Sequence, residues 1–239
     1  MNNQAVKKIR FEKSAIFYVP LIIFILGGFW RGYFSRFFNW EQFSKITFYT
    51  HFHFLMVSLW VVLLIIQPIL IRQKKVAIHK KLGRISYILM PLIFVSVLLL
   101  FHSRHKPNGE GVDLDFFIPL KDLIIMGIAY FIAIKYRKRF DIHARAMIAT
   151  GIPFIEPALS RLMSHNFPTL GLTNYFITCG VMHLLLIVLI ILERKQKSAR
   201  WVFPLIWGIY LVFHFIAIFD VHIPGLKSLA NWFLSLPLT

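Results

Sequence analysis

Ten histidines and ten carboxylates are available to this chain for acid, base or ligand chemistry, and several of them sit inside strongly apolar stretches. An ionisable side chain in hydrocarbon costs several kcal/mol unless it is paired or hydrated, so each one there is a functional candidate. His51, Asp122, Glu156 and His214 fall five to seven residues from the same end of their apolar segments. At about 1.5 Å per helical residue, they share a layer roughly 8–11 Å below one membrane surface. Arg161 and Lys121 border that layer, and His183 lies deeper. His79 and His143 stand at the opposite boundary. Imidazoles beside carboxylates suit a metal ion, a proton relay or, where two imidazoles face each other at one depth, a b-type haem. The plainer alternative is structural: Lys121 pairs with Asp122, Glu156 pairs with Arg161, and the histidines bond to backbone or water. No H-x-x-x-H or H-E-x-x-H spacing occurs, so a bare metal site has no specific signature.

Two stretches position these groups in an informative way. In 143–163, Pro153 and Pro157 each remove a backbone donor and free a carbonyl one turn earlier. Such a break is tolerated in a membrane where neighbours or water satisfy the backbone, and Glu156 lies inside it. In the segment around His51, His53, Trp60 and Gln67 recur every seven residues on one helical face, while His51 and Ser58 share another. At least one of the two faces must point into a bundle. Cys179 and His183 are one helical turn apart, a spacing that suits a ligand pair but suits packing better.

The elements that carry these residues are read from composition. Hydrophobic residues make up 58% of the 239 positions, charged residues only 15%, and mean hydropathy is +0.68. The apolar residues form blocks long enough to cross a hydrocarbon core of roughly 30 Å. We expect an all-α, polytopic membrane helix bundle in a single transmembrane domain, 1–239, with about seven transmembrane helices near 14–32, 46–71, 84–103, 115–135, 143–163, 172–193 and 200–219. The formal charge of +17 would suggest nucleic acid in a soluble protein. Here the cations sit between apolar blocks, where they face anionic headgroups, and no nucleic-acid motif is present.

The N-terminus (Lys7, Lys8, Arg10, Lys13) and the loops at 72–84, 135–145 and 194–200 hold most of the lysines and arginines. The positive-inside rule therefore places the N-terminus in the cytoplasm and the C-terminus outside. Gly27-Gly28-Phe29-Trp30 offers no signal-peptidase site, so the first segment is expected to be an uncleaved helix. In the tail, Leu226, Leu229, Trp232, Phe233 and Leu236 repeat at helical spacing, fitting a short interfacial C-terminal helix. A single cysteine, Cys179, excludes an intramolecular disulfide.

Residues 51–86, HFHFLMVSLWVVLLIIQPILIRQKKVAIHKKLGRIS, and 141–163, DIHARAMIATGIPFIEPALSRLM, together resemble a group of uncharacterised bacterial membrane proteins of similar size. That group carries an H…W…Q helix, an H-R-x-L-G segment and an H-x-R-x-M…R helix; Lys80 stands here where the group often has Arg. The layout is also loosely similar to membrane domains of unknown function that have been likened to two-haem b-type cytochromes. The resemblance implies a multi-pass protein of the bacterial inner membrane and no established activity.

Three activities fit the residues, alongside a non-enzymatic membrane component of a complex. A haem-binding redox protein would use His51 with His214 for an outer haem and His79 with His143 for an inner one. A proton-coupled transporter would use Glu156 and Asp122. A metal-dependent intramembrane hydrolase would draw ligands from His51, His183, His214 and the carboxylates. The expected partner is the lipid bilayer; a homo-oligomer and a complex subunit are both compatible with the sequence.

Overall fold

The computed structural model describes Ala15 and residues 18–196 and 198–239. The basic N-terminal residues, the start of the first segment and Lys197 lie outside the described residues. All regular elements described are helical. In chain order they are α1 (Tyr18–Phe29), a π-helical turn (Trp30–Phe34), α2 (Ser35–Phe37), α3 (Trp40–Phe43), α4 (Phe48–Arg72), α5 (Val76–Gly83), α6 (Ser86–His102), α7 (Val112–Lys135), α8 (Phe140–Ala149), a 3-10 turn (Ile152–Phe154), α9 (Ile155–Asn166), a second 3-10 turn (Pro168–Leu170), α10 (Thr173–Glu193), α11 (Val202–Ile218) and α12 (Leu226–Leu234).

Each of the seven expected segments is helical, but they are not equal. Five helical stretches are long and apolar enough to cross a membrane: Tyr18–Phe37, Phe48–Arg72, Val76–His102, Val112–Lys135 and Thr173–Glu193. α11 is apolar but has 17 residues. The segment expected at 143–163 is not one helix. α8 ends at Ala149, the chain turns through Gly151 and Pro153, and α9 begins at Ile155. Pro153 fits the first positions of the 3-10 turn, where a missing N–H goes unneeded.

The faces are those of a protein solvated by hydrocarbon. On α4, Leu55, Leu59, Val62 and Ile66 form an exposed apolar stripe, while Trp60, Leu64 and Gln67 turn inward. α10 exposes Leu184, Ile187, Val188, Ile191 and Leu192 in the same way. Contiguous exposed apolar surface of this extent, on helices long enough to span a bilayer, is consistent with contact with hydrocarbon. The helices fit an integral membrane protein with several crossings.

Packing neighbours form a circuit: α1 on α9, α9 on α10, α10 on α11, α11 on α7, α7 on α6, α6 on α4, and α4 back on α1. α8 packs against α7 and α11. α1 and α9 approach each other closely at Gly28. A Cβ at Gly28 would collide with the main-chain carbonyl of Ala158, so only glycine permits this contact. The tail does form a helix, α12. Ala230 and Leu234 bury themselves with Phe101, Val112 and Phe116, so this helix docks on α6 and α7. His102 secures the terminus beyond it, bonding Thr239 Oγ1 at 2.6 Å and the Leu236 carbonyl at 2.8 Å.

Candidate functional site

Two polar assemblies emerge inside the bundle. The first is built around Lys121, on the middle of α7, whose side chain has no exposed surface. Its Nζ donates to Asp122 Oδ1 at 2.8 Å and to Glu156 Oε2 at 2.7 Å. Glu156 enters from the first turn of α9, just past the proline break, and is buried. The same Oε2 lies 3.1 Å from His214 Nε2 on α11. The other ring nitrogen of His214 lies 3.1 Å from His183 Nε2 on α10. Tyr210 and Tyr175 flank His214 at ring-centroid distances of 5.3 and 6.4 Å, and the Lys121 ammonium lies 5.9 Å from the Tyr210 ring centroid.

Asp122, Glu156 and His214, expected to share a layer, therefore meet, with Lys121 at their centre and His183 attached. The remaining member of that layer, His51, and the bordering Arg161 are placed elsewhere. His51 bonds Tyr33 Oη at 3.0 Å and sits among Phe37 and Phe43. Arg161 does not pair with Glu156. Its guanidinium lies over the Phe29 ring at 4.8 Å and donates to the Pro157 carbonyl. Helical phase explains this: Arg161 is five residues beyond Glu156, about 140° further around α9. His51 and His214 share no partner, and α4 does not neighbour α11 in the circuit of helices.

The second assembly lies at the opposite, cation-rich end. A cavity of about 880 Å³ opens between α4, α5 and the start of α6 on one side and α7 and α8 on the other. That is the upper part of the range for ligand pockets, roughly 300–1,000 Å³. Leu63, Leu64, Ile71, Val76, Ile134, Met147 and Ile148 supply apolar walls, and Lys80, Arg84, Arg137 and Lys138 supply four cations. His79 and His143 both line it, with ring centroids 6.5 Å apart and planes at 87°.

The local structure orients both imidazoles. His143, in the first turn of α8, bonds the Ala133 carbonyl through Nδ1 at 2.9 Å. A carbonyl only accepts, so Nδ1 carries the proton and Nε2 keeps its lone pair. His79 is set against the main chain of Gln67, and its Nδ1 is buried. Gln67 also lines the cavity, with its side-chain oxygen and nitrogen both buried and unpartnered. A Cβ at Gly83 would come 3.6 Å from Gln67 Nε2, ordinary van der Waals contact, so the amide packs against this backbone.

Three features were not legible beforehand. Lys121 is the hub of the first assembly, although sequence placed it only at the border. Gln67 belongs to a cavity. Arg145 and Glu193 form a buried pair, Nε to both carboxylate oxygens at 2.8 and 2.7 Å, with Arg145 also donating to the Asp141 carbonyl. Among the described residues, no group of three or more His, Cys, Asp or Glu side chains gathers as a metal site. Compared with known proteins, the chain matches no family model, no curated protein and no solved structure, so its function is argued from this geometry.

Proposed function

We propose that this is a haem-binding membrane protein in which His79 and His143 hold a b-type haem in the inner cavity. The observation that carries the reading is the 6.5 Å separation of the two rings at the edge of a large, apolar-walled, basic-rimmed space. Two imidazoles bonded to one metal at about 2 Å through nitrogen have centroids about 6.3 Å apart. Rotation about a metal–nitrogen bond leaves ligation unchanged, so crossed ring planes are compatible. The Ala133 carbonyl on His143 Nδ1 is the kind of outer partner that fixes the tautomer of a ligating histidine. A haem carries two carboxylates, and the rim offers Lys80, Arg84, Arg137 and Lys138 to receive them. His79 and His143 would be the residues that hold the haem, and the group would supply one-electron transfer there.

In this reading the chain crosses the bacterial inner membrane seven times, N-terminus inside and C-terminus outside, with α8–α9 as a broken crossing and α12 at the outer interface. The haem then lies near the cytoplasmic face, beside the basic loops. The loose likeness of the layout to membrane domains likened to b-type cytochromes supports the same assignment, and Gln67, His79, Lys80, Gly83, Arg84 and His143, from the two stretches that resemble an uncharacterised bacterial membrane group, all line the cavity.

The test is the visible spectrum of haem-replete protein before and after dithionite reduction. Wild type is expected to show a Soret band that shifts and sharp α and β bands. His79→Ala and His143→Ala should each lose the six-coordinate signature, whereas His51→Ala should keep it. Unchanged spectra in both cavity variants would overturn the assignment.

A further inference from the structure

We infer that Asp122, Lys121, Glu156, His214 and His183 form a proton-conducting chain across the middle of the bundle, independent of the haem. Its links are all at hydrogen-bond distance, from 2.7 to 3.1 Å. Its interior is sealed: the side chains of Lys121, Glu156 and His214 are 0–3% exposed. Its two end groups are less deeply enclosed: Asp122 is 19% exposed and the His183 ring is half-buried, with its Nδ1 atom covered and reached through a bridging water.

The hydrogen bonds also have a direction. Glu156 Oε2 as a carboxylate can only accept, so His214 Nε2 donates to it. His214 Nδ1 is then the acceptor, and His183 Nε2 the donor. That leaves the lone pair of His183 Nδ1 free, and this atom is buried without a partner. A proton arriving at His183 Nδ1 releases the Nε2 proton to His214 Nδ1. His214 in turn releases its Nε2 proton to Glu156. One proton enters and one O–H bond forms at Glu156; both imidazoles end neutral in the other tautomer, and no electron moves. Lys121 continues the path by giving one Nζ proton to Asp122 and taking the Glu156 proton in its place.

Charge favours the load. One ammonium against two carboxylates leaves a net negative charge in a low-dielectric interior, and a single added proton cancels it. The groups facing the chain are Tyr175 and Cys179 from α10 and Tyr210 from α11. The Tyr210 hydroxyl and Glu156 Oε1 are buried and unpartnered, and the Tyr175 hydroxyl is paired with Cys179, which places a further donor and an acceptor along the path for water.

The test reconstitutes the full chain into phosphatidylcholine vesicles containing a pH-sensitive dye, with the membrane potential clamped, and applies an acid step outside. Wild type should acidify the lumen faster than protein-free vesicles. Glu156→Gln and His183→Phe should fall to the protein-free rate. His183→Phe guards against misfolding, because it removes a half-buried ring with one hydrogen bond and leaves the Lys121 ion pairs intact. Wild-type flux equal to the protein-free rate, or wild-type flux retained in both variants, would overturn the inference. The visible spectrum of the same samples reports the haem separately, so each proposal stands or falls alone.

Discussion

Lys121 shows how far a residue's role depends on what reaches it. Read along the sequence, it is the neighbour of Asp122. In the fold it joins two carboxylates from different helices and has no exposed surface. Removing the cation strands the buried Glu156 carboxylate beside a partly exposed Asp122, and breaking a buried pair typically costs about 3–5 kcal/mol. Lys121→Met should therefore lower the thermal unfolding midpoint in detergent sharply. Lys121→Met combined with Asp122→Asn and Glu156→Gln should recover part of the loss, because no unpaired charge remains. An equal or larger loss in the triple variant would argue that the pairing is not what stabilises the site. The candidacy of Asp122, Glu156 and His214 was legible because charge inside an apolar block is conspicuous. Their meeting point was not, because a long lysine side chain sets it, and Arg161, nearer in sequence, points about 140° away around α9.

Helix positions were readable from apolar blocks and proline placement, and the boundaries at Phe48–Arg72 and Thr173–Glu193 lie within two residues of expectation. The interruption was signalled by Pro153, while Pro157, the other expected breaker, lies within the first turn of α9. What sequence could not show was which helices touch, since that depends on side-chain size across an interface rather than on any periodicity. Gly28 is the clearest case. It lets α1 lie against the backbone of α9 at Ala158, and α9 is the helix that carries Glu156. Gly28→Ala should separate these helices and lower the unfolding midpoint, while Gly180→Ala, with open space around its Cβ position, should be neutral or slightly stabilising. Equal midpoints for the two variants would show that the α1–α9 contact is not under this constraint. The tail was readable as amphipathic from Leu226, Trp232 and Phe233, but its docking through Ala230 and Leu234 was not, because an alanine in a short helix says nothing about what it meets.

At the scale of the whole molecule, the two assemblies sit at different depths. The basic-rimmed cavity lies among the loops that the positive-inside rule puts in the cytoplasm, and the Lys121 chain lies deeper in the bundle. The cavity residues had been visible one by one: His79 and His143 as boundary histidines, Gln67 on the Trp60 stripe. Their convergence depends on α5 folding back beside the end of α4, which a loop-like, lysine-rich stretch does not announce. The orientation behind this arrangement predicts that a reporter active only outside the cytoplasm works when fused after Thr239, and that one active only inside works in the 72–84 loop. The reverse pattern would move the cavity, together with its basic rim, to the outer face.

The most direct measurement is the redox difference spectrum of the purified, haem-replete protein alongside His143→Ala. The account predicts sharp α and β bands on reduction in the wild type and their loss in the variant. A featureless wild-type spectrum from folded protein, or a band untouched by His143→Ala, would contradict it.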